Sequence, residues 1–234
     1  VDSDATLAGI VSDGGLTKAG NGVLTLSGNN SFSSGTTISA GTVRAGNNNA
    51  FGSLATDALA LNAGTLTSDG STARAFANNV TVGGNITLGA TTTNTGALTF
   101  NGTVGLGAAV RTLTVDSNVT FAGIISDGGL TKAGDGILTL SGINTFTLGT
   151  TITNGTITIG HASSLGAGTF NVASGATLNL ASFNVSNTIT TVAGSTVTGG
   201  SLSAATAPTV GTVASVLTGT GATLTKTDGG RLTL

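Results

Sequence analysis

The feature that most constrains this chain is a duplication. Residues 1–46 begin VDSDATLAGIVSDGGLTKAGNGVLTLSG, and residues 115–160 begin VDSNVTFAGIISDGGLTKAGDGILTLSG. The copies lie 114 residues apart, align without a gap and share about 31 of 46 residues. A third, partial copy, ATLTKTDGGRLTL, closes the chain at 222–234. Such self-similarity marks architectures in which each unit buries its apolar face only against a neighbour. The expected organisation is one continuous segment, 1–234, with internal repeats at 1–114 and 115–221 and a partial third at 222–234.

The repeats are written in a narrow alphabet. Cys, Met, Trp, Tyr, Glu and Gln are absent, while Gly occurs 39 times. Losing Glu, Gln and Met removes good helix formers, and the abundant Thr and Val favour strands. Apolar residues recur in short alternating runs bounded by Gly, Asn, Asp or Ser. The expected strands are 23–26, 36–39, 42–44, 59–61, 65–67, 80–82, 86–88, 98–100, 111–115 and 119–121. The second half adds 137–140, 150–153, 156–159, 169–172, 177–180, 189–192, 213–217, 223–225 and 232–234. Within 136–141 (GILTLS), Leu138 and Leu140 share one side and Thr139 takes the other. One side of each strand therefore wants a dry interior and the other suits water.

Strands this short, with few Asn-Gly hairpin signals, fit a parallel β-helix better than a sandwich. The fold class expected is all-β, a parallel β-helix (β-solenoid). Coils of roughly 20–25 residues would give about ten turns, stacked at about 4.8 Å over a length of about 50 Å. Asn at the corners is expected to bond to Asn in the next coil. The soft spot is placed at 204–210, because Pro208 cannot donate to a ladder.

Charged residues make up only 7%, and the net charge is −2. The basic residues are scattered, so nucleic acid is not an expected partner. Lys18, Lys132 and Lys226 occupy one equivalent repeat position. Zero Cys excludes a disulfide framework. Nothing in the sequence reads as a signal peptide or as a membrane span of about 20 apolar residues. The sequence starts on a repeat boundary and is read as a segment of a longer protein.

The run GGLTKAG(N/D)G(V/I)LTLSG, then N-x-F-x-x-G-T-T-I, then G-T-(V/I), resembles the passenger-associated repeat of bacterial autotransporters, also called the autotransporter-associated β-strand repeat. It occurs at 14–28, 30–38 and 41–43, and again at 128–142, 144–152 and 155–157. The stretches at 73–89, 111–129 and 163–190 are similar to the segments between such repeats. The third copy departs at 227–229, where a modified corner is expected. The resemblance implies a right-handed β-helix in a large surface protein of a diderm bacterium, exported across the outer membrane through a C-terminal barrel. No segment here reads as the tilted amphipathic strands of such a barrel.

Each candidate chemical group in the sequence also has a structural role open to it. The Asp-Gly-Gly turns (Asp13-Gly14-Gly15 and Asp127-Gly128-Gly129) supply one carboxylate each, against the six to eight or so oxygens that calcium takes. A turn with Gly at positive φ and Asp bonded to the backbone is the expected role. His161 is the only imidazole, and its repeat equivalent is Asn47; it reads as a solvated loop residue. Asp116 and Asp127 could pair as glycosidase acids, but Asp2 and Asp13 duplicate them, which favours a structural role. Thr-x-Thr triplets (65–67, 112–114, 151–153, 156–158, 196–198, 223–225) evoke ice-binding solenoids, but their spacing is irregular. The eight Phe (Phe32, Phe51, Phe76, Phe100, Phe121, Phe146, Phe170, Phe183) read as core filling.

No catalytic, cofactor-binding or metal-ligating residue is assigned, and no cofactor is expected. The expected function is a non-catalytic stalk or scaffold segment of a surface-exposed or secreted autotransporter-type protein, adhesive or filament-forming. The alternatives are a polysaccharide-acting β-helix enzyme and an ice-binding solenoid. The expected partners are neighbouring repeats, or other copies stacked end to end, with a host or cell-surface ligand left open.

Overall fold

A computed structural model describes residues 1–192, 194–203, 216–218 and 223–225, with 201–203, 216–218 and 223–225 described by backbone alone. The soft spot at 204–210, the strand at 232–234, the altered corner at 227–229 and Lys226 lie outside the described residues.

Regular structure among these residues is all strand. There are 27 strands, most of three or four residues, paired in parallel. A ten-stranded sheet runs from Ala5–Leu7 to Ile189–Thr191, and an eight-stranded sheet from Arg74–Phe76 to Val216–Thr218. A six-stranded sheet runs from Leu16–Lys18 to Ile125–Ser126, and a three-stranded sheet from Asn184–Val185 to Thr223–Thr225. The chain passes the faces in constant order, but not every coil has a strand on each: the second face has none before Arg74–Phe76. The six- and three-stranded sheets thus form one interrupted column, and the β-solenoid has three faces. Ten strands on the first face match the expected number of turns.

Alternation along each strand builds the core. In Thr156–Ile159 the side chains alternate half-buried and buried, so Ile157 and Ile159 point in while Thr156 and Thr158 point out. Parallel pairing stacks like on like. On the second face Phe76, Phe100, Phe121, Leu140 and Ile159 form one inward file. The rings of Phe51, Phe76, Phe100 and Phe121 follow one another at centroid separations of 5.1, 5.4 and 5.3 Å. Tilted contacts of this kind add about 0.5–1.5 kcal/mol each beyond the area they bury. Seven of the eight Phe are fully buried, as core filling requires, and Phe183 is half-buried.

Several strands were not foreseen. Leu16–Lys18 and Gly129–Ala133 were missed because a Lys in the inward register hides the alternation. Val104–Gly105 and Ile125–Ser126 offer one apolar residue each. The Thr triplets are spaced irregularly along the chain because the coils differ in length. Coils advance by as few as 17 residues (Val185 to Leu202) and as many as 27 (Leu88 to Val115), which scrambles linear spacing. In space Thr156 and Thr158, Thr177 and Asn179, and Thr196 and Thr198 lie in register on the second face.

The repeats have a structural consequence that linear alignment hides. In the first copy, Val23–Leu26 and Thr42–Ala45 lie on the first face, and Leu16–Lys18 and Thr36–Ile38 on the third. In the second copy the equivalents Ile137–Leu140 and Thr156–Ile159 lie on the second face, and Gly129–Ala133 and Thr150–Ile152 on the first. An offset of 114 residues is therefore five whole coils plus one face. The local geometry is nonetheless kept: Leu26 to Ala45 and Leu140 to Ile159 are both steps of 19 residues.

The copies also share a blemish. Thr36 and Thr150, at the same repeat position, point inward with hydroxyls that are buried and unpartnered. Thr150→Val should raise stability by about 1 kcal/mol in urea unfolding, since it removes an unsatisfied group at constant shape. Leu140→Asp, by contrast, places a carboxylate in the dry file and should lose more than about 4 kcal/mol. An unchanged melting temperature for Leu140→Asp would contradict the inward register.

Candidate functional site

The most distinctive chemistry lies at the corners of the two repeats. Leu16-Thr17-Lys18 alternates so that Lys18 falls on the same side as Leu16, and Lys18 stacks on Ile38 of the next coil. Lys132 stands between Leu113 and Ile152 in the same manner. Both side chains are buried, at 1% and 0% exposure. Each aliphatic stem joins the core, and each ammonium turns to the corner.

There it finds three main-chain carbonyls. Lys18 Nζ donates to Ala19 O (3.2 Å), Gly20 O (2.6 Å) and Ala40 O (3.0 Å). Lys132 Nζ donates to Ala133 O (3.1 Å), Gly134 O (2.7 Å) and Asn154 O (3.1 Å). In each set two carbonyls belong to the lysine's own corner and the third to the next coil. An ammonium has three donors and no acceptor, so the set is complete. Gly155 keeps this close approach open: at φ 69° it adopts the left-handed turn, and a Cβ there would come within 2.7 Å of Lys132 Nζ.

The acids provide the counter-charge. Burial lowers the pKa of Lys132 from 10.5 to about 8, while Asp116 and Asp135 pull it upward. The side chain is thus an ammonium at pH 7. Asp116 sits in the coil below, at the Gly134 corner. Asp127 is at a different corner, where its own φ is 60° and its carboxylate accepts from Ser126 Oγ at 3.0 Å. The two acids therefore do not face each other as a glycosidase pair. The Asp-Gly-Gly segments are turns, but in a tighter form than expected: Asp13 and Asp127 themselves take positive φ along with Gly14 and Gly128. Asp tolerates that region better than most residues. Among the described residues no group of three or more His, Cys or acidic side chains is placed to hold a metal ion.

A second device sits one corner away. Asn30 Oδ1 accepts from Val11 N (2.9 Å) and its Nδ2 donates to Ala50 O (2.9 Å). Asn144 repeats this with Ile125 N (2.7 Å) and Ser164 O (2.6 Å). Each buried amide thus joins the coil below to the coil above. An Asn-to-Asn bond of the expected kind occurs between Asn49 and Asn29 (2.7 Å). The motif asparagines instead bind main chain. His161 takes over the turn role of Asn47: its Nδ1 accepts from Ser163 N at 3.0 Å, as Asn47 Oδ1 accepts from Asn49 N at 2.9 Å.

Sequence reasoning noted the equivalent lysines but not their burial. The signal was present, since the period of two in Leu-Thr-Lys places Lys with Leu. With all three ammonium donors used and no nucleophile–base pair at the corner, this chemistry braces the chain.

Fold and corners together define a parallel β-solenoid carrying two cross-braced, two-coil cassettes. The family model of the passenger-associated-transport-repeat matches residues 16–45 and 130–159, which are those cassettes. The chain is also 36% identical over 129 residues to the adhesin BmaC autotransporter of Brucella suis biovar 1 (strain 1330). That match covers 53% of this chain and 4% of the relative, so the chain spans a small fraction of the relative's length. No solved structure matches the chain. Together these matches support an autotransporter passenger region with repeats, and the chain carries two of those repeats.

Lys132→Met keeps the stem and strands three carbonyls. It should cost about 2–4 kcal/mol in urea unfolding at pH 7. The pH dependence has a definite sign. Below pH 8 the folded and unfolded chains both hold the proton. Between 8 and 10.5 the unfolded chain keeps a proton that the folded chain has released, so rising pH favours the folded state. The stability of the wild type relative to Lys132→Met should grow across that window, and a flat difference would show equal titration in both states.

Proposed function

We propose that this chain is a non-catalytic stalk segment of a surface-exposed, adhesin-type autotransporter of a diderm bacterium. The observation that carries this reading is the ten-turn parallel stack braced at both repeats by buried Lys and Asn. A stack of this kind extends a molecule by about 4.8 Å per coil with no hinge between coils. The repeat family and the adhesin relative support the surface setting and the export across the outer membrane. The test is labelling of intact cells with antibody to the chain. Labelling without permeabilisation is expected, and labelling only of permeabilised cells would overturn the surface reading.

A further inference from the structure

The third face is interrupted between Ile125–Ser126 and Asn184–Val185, and the two coils in between carry no strand there. The interruption opens a groove of about 420 Å³, formed by residues 162–169 of one coil and 186–188 of the next. Its origin is a length difference between the repeats. From Ala45 to Leu59 the first copy uses 14 steps, while the second uses 11 from Ile159 to Phe170. The longer version is filled. There Asp57 Oδ2 accepts from Leu54 N (3.0 Å), and Asn78 Nδ2 donates to Phe51 O (3.0 Å) and Asp57 O (2.7 Å). The shorter version keeps only the amide half of that plug: Asn187, at the position of Asn78, donates Nδ2 to Gly166 O (2.8 Å), and 161–169 holds no counterpart of Asp57.

The lining is hydroxyl and amide. Ser163, Thr169, Ser186, Asn187 and Thr188 face the space, the remainder are Gly and Ala, and none is charged. Much of the main chain is already engaged: Ala167 N donates to Phe146 O, Phe170 N to Thr188 O, and Asn187 Nδ2 to Gly166 O (2.8 Å). An incoming strand would find few free partners there. The side-chain hydroxyls and the Asn187 carbonyl remain for a ligand. Outside the lining, His161 and Phe183 make a tilted ring contact at a centroid separation of 6.3 Å. A concentration of uncharged hydroxyl and amide groups suits a sugar, whose rim offers hydroxyls that both donate and accept.

We propose that this groove binds a neutral glycan, with the free Asn187 carbonyl and the surrounding hydroxyls reading sugar hydroxyls. The proposal deepens the adhesin reading and rests on it. It is tested with the whole chain on immobilised oligosaccharides: neutral glucose-, galactose-, mannose- and N-acetylglucosamine-configured arms, with sialylated and sulfated arms alongside. Saturable binding to at least one neutral arm is expected, weakened about tenfold by Asn187→Ala, which removes the one free amide oxygen. Thr188→Trp, at an exposed position, fills the groove without touching the core and should abolish binding with the circular dichroism unchanged. No neutral arm bound, charged arms alone bound, or equal binding by wild type and Thr188→Trp would each overturn the proposal. Beads coated with the chain separate the two levels: adhesion to cells that survives Thr188→Trp removes the groove and keeps the adhesin.

Discussion

Every coil of this molecule depends on holding register with the coils above and below it. A parallel ladder slipped by one residue would turn each inward Leu, Ile and Phe to water and each Thr to the core. Strands of three or four residues give that register little local support. The corners must therefore fix it, and corners are where main-chain carbonyls lose their ladder partners. The buried lysines and asparagines resolve both difficulties together. Lys18 and Lys132 supply three donors to carbonyls of two successive coils, and Asn30 and Asn144 clip three coils in line.

A buried cation is an expensive brace unless it is fully satisfied. Here the geometry supplies three carbonyls, glycines at positive φ that let them approach, and Asp116 and Asp135 nearby. The lowered pKa of Lys132 shows that burial still outweighs these favourable terms. The corner costs stability as a charge and returns it as register. An apolar residue at that position would leave the carbonyls of Ala133, Gly134 and Asn154 unpaired, so neither Leu nor Met is an equivalent choice.

Much of the fold was legible because alternation is a strong signal where Thr separates aliphatic residues, as in Thr156–Ile159. It failed where one polar residue held the inward register, as in Leu16–Lys18, since hydropathy marks Lys as outward by type. It failed also across coils. No linear rule places Thr156 beside Thr177 and Thr196, because the steps between coils vary with corner length. The Asp116–Asp127 pairing was tempting for the same reason, and the structure puts those acids at separate corners. The groove left a trace in the sequence: the copies agree to Gly160 and then diverge in length, at His161 against Asn47.

That divergence acquires meaning from the phase of the repeats. Because 114 residues make five coils and one further face, nearly identical cassettes present different sides of the solenoid. Whatever preserves the cassette sequence must then act within it, through its lysine, asparagine and glycine contacts, since no external partner would meet both copies in one orientation. A surface that recognises something outside the molecule has to be written in residues the copies do not share. The segments at 47–58 and 161–169 are such residues. Both are corners on a rigid frame, the setting in which binding groups are most freely varied. In one copy the corner is plugged by the buried side chains of Asp57 and Asn78. In the other it is shortened and flanked by an imidazole and a Phe ring. The scaffold and the candidate binding chemistry are thus encoded in separable stretches of the same repeat.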